Sequence, residues 1–129
     1  MIVARPSGTE YAPFYAGYVN AVPEGDFIEL LQAQRDEATA LLTPVDDMKA
    51  RHRYAEGKWT IAEVLGHITD AERVFTYRAV TFARGDATPL PPFDENAWAA
   101  ASNAGRRSMN GLLAEYRAVR NATIELFRG

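Results

Sequence analysis

Apolar residues return at steps of three and four over three long stretches of the chain, and nowhere do they alternate as a half-buried strand would. The clearest stretch is Trp59–Arg84. There Ile61, Val64, Leu65, Ile68, Phe75, Ala79 and Phe82 fall on one side of a 3.6-residue helix, with no proline among them. Thr60 and Glu63 have capping-box spacing, so the threonine oxygen accepts an amide hydrogen three residues on while the glutamate reaches back to the cap. Gly66 is the weak point of the run, roughly 1 kcal/mol less favourable than alanine. His67 stands on the flank of the apolar stripe, in line with Val64, Ala71, Val74 and Arg78.

A second helix is expected from Asp26 to about Leu42. Phe27, Leu30, Leu31, Ala38, Leu41 and Leu42 share one face with Gln34, its polar exception, and Asp26 with Glu29 repeats the capping-box spacing. Thr43-Pro44 ends it, because a residue before proline avoids helical angles. Val45–Met48 reads as a short turn and residues 49–58 as an exposed polar loop. Beyond the central helix, Gly85 is placed as a terminator. Pro89, Pro91 and Pro92 stiffen a long link, Phe93 and Trp98 are expected to pin it to the body, and Asp94–Ala101 reads as a short helix. The third long helix starts at a Ser108 cap and runs to about Phe127, with Met109, Leu112, Leu113, Tyr116, Val119, Thr123, Leu126 and Phe127 as its stripe. Arg106, Arg107, Arg117, Arg120 and Arg128 read as a solvated face, since Glu115 and Glu125 lie among them. The lead, residues 1–25, holds Tyr11, Phe14, Tyr15 and Tyr18; it is expected to lie across the helices and cover an apolar groove, with a helical turn from Pro13 to Val19.

These elements describe an all-α, up-and-down helical bundle forming a single domain over residues 1–129. Such bundles commonly close a core with four helices. Three long ones are present and the fourth is missing, so the chain reads as incomplete at its C-terminus.

Composition narrows the partners. With 129 residues, a formal charge of −3 and a pI near 5.4, the chain favours neither nucleic acid nor an anionic membrane. The absence of cysteine excludes disulfides, thiolate nucleophiles and cysteine-ligated zinc. No apolar run suits a signal peptide or approaches the roughly 20 residues of a membrane span, so a cytoplasmic location is expected.

Around the central helix the residues Lys58-Trp59-Thr60-Ile61, Glu63-Val64, Gly66-His67-Ile68, Asp70 and Glu72 resemble the DinB-like (DinB/YfiT) family of bundle proteins. The Pro23–Asp26 region, Phe93-Asp94 with Trp98, and Leu112–Arg120 are similar to it as well. The resemblance implies a four-helix bundle with a long link between its second and third helices. It implies a divalent metal, zinc or nickel, held by three histidines: one at the position of His67, and an HxxxH pair on the fourth helix. Implied activities are thiol transfer, related isomerase chemistry, and hydrolysis of a small molecule, and many members are homodimers. This chain has only His52 and His67, with no histidine after residue 67. Either the polypeptide is a shortened product, or it is a member without the triad.

His67 is therefore the one candidate metal ligand, and no catalytic residue is assigned. Glu63 and Asp70 lie one turn to either side of it. Glu63 is claimed by the cap, and Asp70 reads more simply as solvent-facing or as a hydrogen-bond partner of the imidazole. His52, between Arg51 and Arg53, reads as a solvated loop residue, because cationic neighbours oppose metal binding. Two function classes follow: a metal-dependent transferase or hydrolase acting on a small molecule or thiol, with further ligands from elsewhere, or a metal-free module that dimerises through an exposed bundle face.

Overall fold

The last helix is the one on which the others are laid. The computed structural model describes all 129 residues, in five α-helices and no strand. These are α1 (Ala16–Ala21), α2 (Phe27–Leu42), α3 (Ile61–Ala83), α4 (Glu95–Ala101) and α5 (Met109–Arg128). Both α2 and α3 lie along α5, yet they barely touch each other.

The pairing runs in opposite senses. Phe27 meets Phe127 edge to face at 5.1 Å, so α2 is antiparallel to α5. Thr76 faces Thr123 and Arg73 reaches Glu115, so α3 is parallel to α5. The link between Arg84 and Ser108 makes this possible by returning the chain to the end where α3 began.

Local chemistry sets the boundaries. Asp26 caps α2 by accepting from the amides of Ile28 and Glu29 at 2.9 and 3.1 Å, although the reciprocal bond from Glu29 is absent. At α3 the box is complete: the Glu63 amide donates to Thr60 Oγ1 at 3.1 Å, and the Thr60 amide donates to Glu63 Oε2 at 2.7 Å. Gly85, at φ +68°, closes the other end; its amide donates to Phe82 and that of Asp86 to Thr81, which satisfies the last carbonyls. Asp94 caps α4, and Ser108 caps α5. The Met109 amide also donates to Asp47 at 2.7 Å, tying the start of α5 to the loop after α2. At Gly66, α3 passes so close to the turn after α4 that an added Cβ would sit 3.4 Å from that of Ala104.

Only 15 residues are buried, so the core is small, and most of it gathers where α3 and α5 begin. Ala50, Ala62, Leu65, Ala104, Met109, Leu112, Leu113 and Tyr116 form the cluster, with Ala38, Leu42, Val45 and Ile61 packed against it. Ala50 corrects the reading of 49–58 as uniformly exposed: a 3-10 turn over Lys49–Arg51 aims this small residue at α3.

Two other expectations change. The lead forms its short helical stretch but does not cover a groove. Phe14 and Tyr18 remain 75% and 68% exposed and pack on Tyr15 instead. Arg5 holds this segment in place by donating to the carbonyls of Val19 and Val22.

The arginines of α5 are likewise not one solvated face. Arg120 is buried beneath the cleft between α2 and α3, where it donates to Glu72 Oε1 at 2.8 Å, to Gln34 Oε1 at 2.8 Å and to the Leu31 carbonyl at 3.2 Å. Its guanidinium lies 5.6 Å from the centre of the Tyr116 ring, and burial pushes that phenol above its ordinary pKa. One arginine thus joins all three long helices, and Gln34 interrupts the apolar face of α2 because it accepts from that arginine. No helix is long and apolar enough to cross a membrane.

Candidate functional site

His67 lies in the second turn of α3, where the Thr60 cap and the buried Leu65 fix the rotation of the helix. Its side chain is 22% exposed. The imidazole packs against the Trp59 ring, centre to centre 4.8 Å and tilted by 51°. Its Nε2 faces the carboxylate of Glu95, the first residue of α4, at 3.9 Å. That distance exceeds a hydrogen bond, so the two groups share a space rather than a proton.

The carboxylates expected from sequence spacing do not join it. Glu63 is held by the Thr60 amide. Asp70 lies 3.7 Å from Arg73. His52 is exposed in its loop, where its carbonyl accepts from the Ile61 amide at 3.1 Å. Glu95 was not foreseen. It is 28 residues away in sequence and sits on a short helix whose position depends on the link, so no spacing rule connects it to His67.

Two grooves run along α3 near His67, and the imidazole itself lines neither. On one side a groove of about 390 Å³ is walled by Leu41, Leu42, Trp59, Val64 and Ile68. On the other, one turn beyond His67, a groove of about 360 Å³ begins at Asp70 and runs between α3 and the link past Tyr77, Phe93 and Trp98. The Phe93 and Trp98 rings lie 4.8 Å apart and form its wall. Arg78 spans it, donating to the Pro91 carbonyl at 3.0 Å. The first groove is almost wholly apolar, and the second sets Asp70, Arg73 and Arg78 beside its rings.

A tetrahedral zinc ion, about 2.0–2.1 Å from each donor, sets its donors about 3.4 Å apart. His67 and Glu95 come near that spacing. A catalytic centre draws on three protein donors, however, and no group of three histidine, aspartate or glutamate side chains is assembled anywhere in the chain. The residues present make half of a centre and do not fit a whole one.

The model of the DinB superfamily matches residues 30–129. A protein of Geobacillus kaustophilus (strain HTA426) named "putative metal-dependent hydrolase" is 29% identical over 104 residues, which cover 79% of this chain and 56% of that protein. One of the same name from Geobacillus thermodenitrificans (strain NG80-2) is 27% identical over 102 residues, with the same coverage of both chains. The chain thus spans little more than half the length of these curated relatives. No solved structure matches it.

Proposed function

The chain belongs to the DinB superfamily, and from that membership we propose that it is the bundle portion of a metal-dependent hydrolase or transferase acting on a small molecule or thiol. One observation carries the reading: a histidine at the motif position, oriented by Trp59, with its Nε2 turned toward a carboxylate. His67 is the metal ligand in this proposal, with zinc or nickel as the ion. The names of the two Geobacillus proteins support dependence on a metal.

Because this chain offers two donors where three are needed, the proposal takes the remaining ligands from outside these 129 residues. What the chain does itself is narrower. Trp59 holds the imidazole plane, and Glu95 keeps a negative charge beside Nε2. In this proposal the grooves along α3 receive the apolar body of a substrate. A cytoplasmic location belongs to the same reading.

The test is metal binding by titration calorimetry. Zinc or nickel should bind the protein in which the remaining ligands are present, and His67→Ala in that protein should weaken the binding at least tenfold. Equal affinity in the two proteins would refute the role of His67. A second reading, a metal-free assembly module, is favoured by a separate observation: the long apolar seam that α3 leaves uncovered.

A further inference from the structure

Asp70, Val74 and Tyr77 stand at successive turns of α3, on a side that faces neither α5, where Leu65, Thr69 and Thr76 point, nor the uncovered apolar seam. The link folds over that side and brings Leu90, Phe93 and Trp98 against it, so both walls of this groove belong to the chain itself. Rings dominate the walls. Tyr77 is 65% exposed and Trp98 43%, and Trp98 is tilted by 45° against Phe93. A volume of about 360 Å³ falls within the range of small-molecule sites, about 300–1,000 Å³, and admits a ligand of one or two fused rings.

Most of the charge beside the groove cancels. Glu115 accepts from Arg107 and from Arg73, and Arg73 lies 3.7 Å from Asp70. Two arginines and two carboxylates thus alternate in a row. Arg78 stands outside that row. It is half-buried and forms no ion pair; one N–H donates to the Pro91 carbonyl at 3.0 Å, and its Cζ lies 5.6 Å from the centre of the Phe75 ring. These two contacts fix the guanidinium at the groove and leave its charge unanswered. Rings beside one fixed, uncompensated guanidinium complement a flat apolar body that carries a single anion. The guanidinium fork matches a carboxylate with two parallel hydrogen bonds.

We infer that this groove binds an aromatic monocarboxylate, with the ring against Phe93 and Trp98 and the carboxylate on Arg78. The direction of the ligand follows. Arg78 lies eight residues beyond Asp70, about 12 Å along the helix. The charged end therefore points away from His67, and the ring extends toward the Asp70 end of the groove, one turn from the imidazole. An organic ammonium also suits aromatic walls, but the charge of Asp70 is already shared with Arg73, and Arg78 repels a cation. Binding of this class rests on the reading above, that a groove along α3 receives a substrate, and requires no metal at His67.

Calorimetric titration of the full chain, without added metal, tests it with three probes of one shape: 2-naphthoate, the corresponding naphthylmethanol and the corresponding naphthylmethylammonium. Wild-type protein should bind the carboxylate at least tenfold more tightly than either of the others. Arg78→Gln should weaken carboxylate binding at least tenfold and leave the alcohol unchanged, whereas Phe93→Ala should weaken both. Arg117→Gln, exposed on α5, should change neither. Equal affinity of wild type for carboxylate and alcohol, or tightest binding of the ammonium, overturns the ligand class while leaving the groove a binding site. A carboxylate preference that survives in Arg78→Gln overturns the place of the anion. Binding of none of the three overturns the groove itself, and with it the reading that a substrate lies there. The comparison among probes on wild-type protein holds even where a variant fails to fold.

Discussion

Replacing Arg120 with alanine removes the donor at the centre of the bundle and leaves its acceptors where they are. Glu72, whose side chain is 10% exposed, keeps its charge. The oxygens of Gln34 and Leu31 lose their partner too. Stripping one member from a buried ion pair costs about 3–5 kcal/mol, because the survivor has surrendered its hydration and gains nothing in return. Native domains hold only about 5–15 kcal/mol in all, and a core of 15 buried residues puts this one toward the lower end. Arg120→Ala should therefore lose most of its resistance to urea, followed by circular dichroism at 222 nm. The double variant Glu72→Leu/Arg120→Met removes both charges and refills the space with carbon. Gln34 lies at the surface and can turn to water. That variant should unfold within about 1 kcal/mol of wild type. Two results would refute the reasoning: a loss below about 1 kcal/mol in the single variant, or equal losses in the single and the double.

Two further outcomes are expected. Thr60→Ala deletes the acceptor for the Glu63 amide at a buried cap and should cost about 1–2 kcal/mol, whereas Thr60→Ser should recover most of it; urea midpoints decide. Acid should weaken the fold through Glu115, whose carboxyl is held below the usual range by Arg107 first and Arg73 next. With the folded value below the unfolded one, its contribution is complete above about pH 4.5 and disappears as pH falls through the folded value. Glu115→Gln should flatten that acid limb when stability is compared at pH 7 and pH 3.

What was legible in the sequence was what the chain does with its own neighbours. The caps at Asp26, Thr60 and Ser108 and the terminator at Gly85 involve residues no more than five apart, and each is found in place. The family was legible through the residues around His67. What failed was long-range. An arginine on α5 looks like surface until Glu72 and Gln34, 48 and 86 residues away, are brought to it. Four aromatic residues in the lead announce that rings will find company, and here they find one another. Glu95 reaches His67 only because the link folds back, and no local preference encodes that return.

The order in which a ribosome delivers these helices has a consequence of its own. Because α2 and α3 lean on α5 and hardly on each other, the keystone of the arch is cut after both of its limbs. A nascent polypeptide that has emerged only as far as Ser108 holds two greasy helices with no surface to settle on, and isolated helices of that length are marginal in water. Folding is therefore gated by residues 109–128, and until they clear the exit tunnel the earlier ones are clients for a chaperone.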